Sequence, residues 1–417
     1  MKNLLVIAPR FPSINQPWID TYLEELLRSG ITLGICSSLK EPQPYQQKVD
    51  HLKLKDKIIP YNDQFSLMKI LQNITKKPKH LIHILRNFPR YLKLARALQE
   101  NHGIPFLESL TKYVSFASER KKFLNFDAMH AHEEVAGFQF CYLADILDIP
   151  FFITFHGLPP LGVGQLSAAK RQRLYEKANA VLVNTNFSKK TALALGCPAQ
   201  KIHIIPQGLP IDDFPFNPTS FPTQRESISL LSVGRFHRDK GQGYILVALK
   251  RLRNKNINAH LDLVGVGPDK KHLLKLIKKL NLTKNVSIHS GINHEELKLL
   301  YKKAHFFLLA SISNEEKKAH TETQGVVLQE AQASGCIPIA SRVGGIPEVL
   351  HHRLDAYLVK QKCSKEIASA IMTALNSQVL YEQFQKSGRL NIEEHFRSQF
   401  ICKKMLCIFE KTGDDNL

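Results

Sequence analysis

Short apolar runs, most of them unbroken, recur along the chain, separated by longer stretches in which apolar positions return every three or four residues. Residues 4–8, 31–36, 128–130, 151–155, 180–183 and 203–205 make one set; residues 229–233, 260–264, 286–289, 306–309, 337–340 and 356–359 make a second. Runs that are continuous rather than alternating predict strands buried on both faces of a parallel sheet, with the helical stretches as crossover connections. Between the sets, residues 210–222 hold too many prolines for a regular element and read as an interdomain linker. From about Ser364 the pattern turns helical, ending in a polar tail at 411–417 that is expected to fray. The fold class is α/β, with ligands expected outside the carboxyl ends of the strands.

At ~100–200 residues per domain, a chain of 417 residues with 43% hydrophobic content supports two such domains with real cores. The apolar run at the amino terminus is too short for a signal peptide, and no later run approaches the ~20 apolar residues of a membrane span. These features predict a cytoplasmic protein. Seven cysteines, an odd number with no C-x-x-C pair, indicate neither a disulfide framework nor a zinc cluster. His130 and His132 occupy alternate strand positions and so point the same way. No third ligand is evident, so no metal is expected and packing at a strand end explains the pair better. Glu133 and Glu134 read as acids at a helix start, complementing its dipole.

A net charge of +20 favours anionic partners: acidic lipid, nucleic acid or phosphorylated small molecules. Residues 76–122 carry much of it, with Lys76, Lys77, Lys79, Arg86, Arg90, Lys93 and Arg96 in one stretch and Leu81, Leu85, Phe88 and Leu92 at helical spacing. A basic amphipathic helix of this kind either covers its own domain or lies on an anionic membrane surface. Nucleic acid fits less well, because base stacking calls for aromatics interleaved with the cations, and here the aromatics sit mostly in apolar runs.

Candidate chemistry concentrates in the second half. Glu322 and Glu330 are separated by seven residues, in a segment that reads as loop then helix, followed by the strand at 337–340 and by Gly344, Gly345, Ile346, Pro347 and Glu348. A helix beginning near Gly325 would present unpaired N–H groups as an anion site beside Glu322, with Glu330 about a turn and a half further on. Such a site suits a phosphorylated sugar, amides for phosphate and carboxylates for hydroxyls. Gly234, Arg235 and Lys240 follow the first strand of this half: the glycine admits a ligand to the backbone, Arg235 can fork onto phosphate, and Lys240 supplies a point charge. Val264, Gly265, Val266, Gly267 and Pro268 lack the third glycine of a dinucleotide fingerprint and read as a strand-to-helix turn.

In order, the VGR-x4-KG loop at 233–241, the VG-x-GP turn, residues 286–291 with 297–304, the E-x7-E pair, EAQASG-x-P-x-AS at 330–341 and GGIPE at 344–348 resemble the retaining glycosyltransferases of family 4. In the first half, residues 130–132, Phe155-His156-Gly157, 181–189 and 201–208 resemble that family too. The resemblance spans roughly residues 128–350 and implies a GT-B fold: two Rossmann-like parallel-sheet domains facing across a cleft. The implied boundaries are 1–209 for the acceptor side, 210–227 for the linker, 228–385 for the nucleotide-sugar side and 386–417 for a helical segment packing back towards the first domain. It further implies that Arg235 and Lys240 hold the donor diphosphate and Glu330 the ribose. Glu322 would hold the transferred sugar, aided by amides of Thr323, Gln324, Gly325 and Val326. Backbone around Gly291 would meet the base, and His156 would face the sugar from across the cleft. The donor would be a nucleoside diphosphate sugar and the acceptor a glycan or lipid-linked glycan, with no metal or other cofactor and no protein nucleophile.

Two departures stand out. The loop after the first strand, residues 9–17, holds no glycine, whereas the family often has a glycine-rich loop there; this opening resembles the subgroup of bacterial exopolysaccharide and colanic-acid-type assembly. After His156-Gly157 the chain has Leu158, Pro159 and Pro160 where the family frequently carries an acid. Other enzymes on this architecture remain as alternatives. A nucleotide-sugar epimerase would release product without an acceptor, and a glycogen-type phosphorylase needs a pyridoxal-binding lysine in a much longer chain.

Overall fold

In the first half, seven parallel strands form one sheet: β1 (Asn3–Ile7), β2 (Thr32–Ser37), β3 (Ile58–Pro60), β4 (Ala128–His132), β5 (Phe151–Phe155), β6 (Ala180–Val183) and β7 (Ile202–Ile204), in the order β3-β2-β1-β4-β5-β6-β7. In the second, β8 (Ile228–Val233), β9 (Ala259–Val264), β10 (Val286–His289), β11 (Phe306–Leu309), β12 (Ile337–Ser341) and β13 (Tyr357–Val359) form a six-stranded parallel sheet in the order β10-β9-β8-β11-β12-β13. The structure is a computed structural model describing residues 1–8, 17–37, 125–157, 166–223, 226–313 and 321–414, together with Phe11 and scattered positions between 54 and 123. Most of the basic segment 76–122, including Lys76, Lys77, Lys79, Arg86 and Arg90, lies outside the described residues, as do residues 158–165.

Both sheets reverse direction beside their first strand: β1 lies between β2 and β4, and β8 between β9 and β11. A crevice opens at such a reversal, past the carboxyl ends of the strands. His130 and His132 on β4, and Gly234 to Lys240 after β8, stand at these two crevices. The continuous apolar runs have the burial they predict. In β5, Phe151, Phe152, Ile153 and Phe155 are all 2% exposed or less, and burying each phenylalanine contributes about 1.5–3 kcal/mol.

The chain crosses between the domains twice. Helix Gln378–His395 sets Tyr381 and Phe384 into the core under the second sheet, while helix Ser398–Asp414 sets Cys402, Met405 and Phe409 into the core of the first. Phe409 stacks on Phe152 with ring centroids 4.1 Å apart. The return crossing therefore falls at Phe396 and Arg397, not at 386, which lies inside a helix packed on the second domain. The two crossings bond to each other: the Leu209 N–H donates to the Phe396 carbonyl at 2.7 Å, and the Ser398 N–H to the Leu209 carbonyl at 2.9 Å. Residues 210–222 are not a free tether either, because Ile211 and Phe214 are buried in the second domain's core beside Val264 and Tyr301. The expected frayed tail is helical as far as Asp414.

Candidate active site

Close backbone approaches build the loop after β8. Gly241, at φ 65°, caps helix Gln242–Arg253, and a Cβ there would lie 1.9 Å from the Ala310 carbonyl oxygen. Only glycine fits, and its turn delivers Lys240 into the cleft. The glycines at 265 and 267, read as a simple turn, have a packing purpose: Cβ atoms there would lie 2.1 Å from the Gly234 oxygen and 2.3 Å from the Phe236 oxygen. Lys240 Nζ donates to Glu322 Oε2 at 2.6 Å, with Ser311 Oγ donating to the same oxygen at 3.4 Å. Both members of this pair are largely buried. Arg235 is exposed at the rim, its carbonyl held by Gln242 Nε2 at 2.9 Å.

Helix Val326–Ser334 opens at Gly325, whose left-handed φ of 81° turns the chain from the Glu322 loop into the helix. First-turn amides have no acceptor within their own helix, so this end carries partial positive charge. The Gly344-Gly345 turn lies directly beneath the loop. The Gly345 N–H donates to the Glu322 carbonyl at 3.0 Å, and a Cβ at Gly345 would lie 1.8 Å from the Thr323 oxygen. Within the helix, Glu330 is buried and accepts from the Tyr301 hydroxyl at 2.7 Å. Burial pushes its carboxyl up to about 7, against the opposing pull of the Tyr301 hydrogen bond. Gly291, after β10, has φ 75° and no atom within 4 Å of its Cβ position.

Across the cleft, His156 directly follows β5, and its ring lies 4.0 Å from that of Trp18 between centroids. Its Nε2 is 3.2 Å from His132 Nδ1 and its Nδ1 3.3 Å from Gln207 Nε2. His130 is committed on both ring nitrogens, to Tyr22 at 2.6 Å and Thr154 at 2.7 Å, which fixes its ring within the packing at the strand end. Burial holds His130 and His156 down to about 3 and His132 well below the ordinary histidine range. All three are neutral at physiological pH.

Thr323 and Gln324, expected to face the donor, direct their side chains at the first domain. Thr323 Oγ1 donates to the His156 carbonyl at 3.3 Å and accepts from Asn184 Nδ2 at 3.0 Å, while its carbonyl accepts from Thr185 Oγ1 at 2.9 Å. Gln324 brackets the backbone of Gln207. Glu348, at the end of the GGIPE segment, caps helix Asn186–Ala194 from the opposite domain, accepting from the backbone N–H groups of Asn186 at 2.6 Å and Phe187 at 2.8 Å. A carboxylate there satisfies donors that the helix cannot. Glu134 opens helix Glu134–Leu147 as expected, and its carboxylate is also buried, accepting from Arg171 Nε at 2.8 and 3.1 Å and from the Tyr175 hydroxyl. Its charge is neutralised by Arg171 rather than shown to solvent. Gln207, Tyr301 and Glu348 lie in segments that carry the family resemblance, but no role for any of the three was legible there.

A cation, a helix amino terminus and two acids thus gather on one side of a cleft, with a neutral histidine on the other. That arrangement can hold a diphosphate through Lys240, Arg235 and the helix amides, and hydroxyls through the carboxylates. Comparisons with known proteins identify the family. Residues 213–391 match the family described as Glycosyl transferases group 1, and residues 20–213 match Glycosyltransferase Family 4. The chain is 24% identical over 241 residues to the amylovoran biosynthesis glycosyltransferase AmsK of Erwinia amylovora, covering 57% of this chain and 58% of that one. It is 25% identical over 243 residues to the putative colanic acid biosynthesis glycosyltransferase WcaL of Escherichia coli, again 57% and 58%. The crystal structure of Anabaena Alr3699/HepE in complex with UDP superposes with a TM-score of 0.71 at 15% identity, over 99% of this chain and all of that one. Two parallel sheets opposed at their carboxyl edges are the GT-B fold that this likeness shows. With the two family matches running from residue 20 to 391, the chain belongs to the family 4 glycosyltransferases.

Proposed function

We propose that this glycosyltransferase moves a sugar, with retention, from a nucleoside diphosphate sugar to a glycan or lipid-linked glycan acceptor in bacterial surface polysaccharide synthesis. The convergence of Lys240, Glu322, the Gly325 helix start and Glu330 on one face of the cleft carries this reading. The bond between the anomeric carbon and the diphosphate oxygen breaks, and the acceptor hydroxyl bonds to that carbon on the same face. Its proton passes to the leaving phosphate. Lys240, Arg235 and the amides of Val326 and Val327 offset the charge growing on that phosphate, the kind of electrostatic stabilisation that usually contributes most to catalysis. Glu330 accepts from the ribose hydroxyls, Glu322 from the sugar, and backbone at Gly291 meets the base. No protein nucleophile, metal or other cofactor enters the scheme, unlike hydrolases that use paired carboxylates as acid and nucleophile.

The relatives named for amylovoran and colanic acid biosynthesis support the acceptor class, and the UDP complex of the Anabaena protein supports the donor class. Peripheral association with the inner face of the membrane belongs to the same reading: no helix among the described residues is long and apolar enough to cross one. Besides the segment around Lys93, helix Lys270–Lys279 exposes Lys271, Lys275, Lys278 and Lys279 near exposed Arg251, Arg253 and Lys255. Basic residues near anionic headgroups contribute on the order of 1 kcal/mol each. A panel of nucleoside diphosphate sugars, scored by nucleoside diphosphate release, tests the activity. One donor should be hydrolysed slowly without acceptor, and a folded protein that turns over none would overturn the reading.

A further inference from the structure

Gln207 stands just before the first crossing between domains, and its backbone is bracketed from the other side. Its N–H donates to Gln324 Oε1 at 2.8 Å; its carbonyl accepts from Gln324 Nε2 at 2.9 Å and from Gln329 Nε2 at 3.3 Å. Gln324 lies on the loop between Glu322 and the cap Gly325, so that loop and Gln207 move as one. The Gln207 side chain points into the first domain, where Nε2 approaches His156 Nδ1 at 3.3 Å. An amide nitrogen only donates, so Nδ1 accepts and carries no proton. Because burial keeps the ring neutral, its single proton sits on Nε2, which donates to His132 Nδ1 at 3.2 Å. His132, also neutral, then holds its proton on Nε2. That buried nitrogen has no hydrogen-bond partner among the described residues.

We infer that Gln207 is a positioning residue: it fixes the tautomers of His156 and His132 and ties them, through Gln324, to the donor loop. The inference rests on the proposed function and on the place the family resemblance implies for His156, facing the donor sugar across the cleft. The hydrogen bonds run in one direction, from the interdomain crossing through His156 to an N–H on His132 with no acceptor among the described residues. A neutral imidazole held in one tautomer presents a donor on one nitrogen only, and reversing it changes what the ring can bind without moving the ring.

The test is nitrogen-15 NMR of the imidazoles in the full-length protein, with His156 assigned through its loss in His156→Gln. Wild type should show His156 as the Nε2–H tautomer, unprotonated between pH 5.5 and 8.5. In Gln207→Glu the carboxylate can only accept, so the proton should move to Nδ1 and the His156 pKa should rise. Gln207→Met, with neither donor nor acceptor of comparable strength, should give a mixture of tautomers. Turnover of the preferred donor should fall on the order of ten- to a hundred-fold in both variants, as when the partner that orients a ligating histidine is lost. UDP affinity should change by less than about two-fold, since no direct contact is removed. A Nδ1–H tautomer in wild type, or an unchanged tautomer in folded Gln207→Glu and Gln207→Met, would overturn the inference. Tautomer shifts in a protein that binds no nucleoside diphosphate would instead uphold the positioning role and sink the functional reading.

Discussion

Replacing Glu330 by glutamine should make the protein more stable and less able to bind nucleotide, and both effects should depend on pH. The carboxyl titrates at about 7 in the fold against an ordinary value of 4.5, because burial raises it more than the Tyr301 hydroxyl lowers it. That difference amounts to about 3 kcal/mol between the two protonation states. For an acid raised in the fold, the native state holds the proton more tightly than the unfolded chain. Relative stability is therefore greatest below pH 4.5 and is lost as pH climbs through about 7. Glutamine keeps an acceptor for Tyr301 but cannot ionise, so it escapes this loss. Urea unfolding should show the advantage of Glu330→Gln over wild type growing by roughly 2–3 kcal/mol between pH 5 and pH 8. Nucleotide binding should have the opposite dependence: ribose hydroxyls favour the ionised carboxylate, so wild-type affinity should rise about ten-fold per pH unit up to pH 7 and then level off. Equal pH dependence of stability and of affinity in the two proteins would refute the reasoning.

Lys240→Met should lower donor turnover on the order of a hundred-fold, measured as nucleoside diphosphate release, because the charge growing on the leaving phosphate loses its nearest cation; unchanged turnover would remove Lys240 from the site. Arg171→Met leaves the Glu134 carboxylate buried without its partner and should cost about 3–5 kcal/mol in urea unfolding. Adding Glu134→Gln should recover most of that loss. Gly345→Ala places a methyl group 1.8 Å from the Thr323 carbonyl oxygen, so the loop carrying Glu322 must shift, costing about 1–3 kcal/mol in stability and most of the donor turnover. Wild-type melting and turnover in that variant would contradict the close packing described for the loop.

The strands were legible because burial on both faces leaves a continuous apolar signature: residues 151–155 and 306–309 read from the sequence coincide with β5 and β11. β3 escaped because three residues at a sheet edge carry no period. The return crossing was misread because helix Gln378–His395 runs through residue 386 without a change in pattern, and only Tyr381 and Phe384 in the second core show which domain owns it. In the site, glycine and charge spacing pointed to Lys240, Glu322, Gly325 and Glu330, since turns and helix starts are local properties. What these groups touch is not local. Tyr301 is 29 residues from Glu330 and Arg171 is 37 from Glu134, so a buried carboxylate reads in sequence like a solvated one. Thr323 and Gln324 show the same limit: their place in the motif was evident, but their commitment to Asn184, Thr185 and Gln207 depends on a domain contact more than a hundred residues away.

The central claim is that the second domain cradles the leaving diphosphate while Glu330 holds the nucleoside. A crystal structure with a non-hydrolysable nucleoside diphosphate sugar tests it most directly. The account predicts phosphate oxygens within hydrogen-bonding distance, about 2.7–3.2 Å, of Lys240 Nζ and the amides at the start of helix Val326–Ser334, with the ribose on Glu330. A nucleotide bound elsewhere, with Lys240 still locked on Glu322, would contradict it.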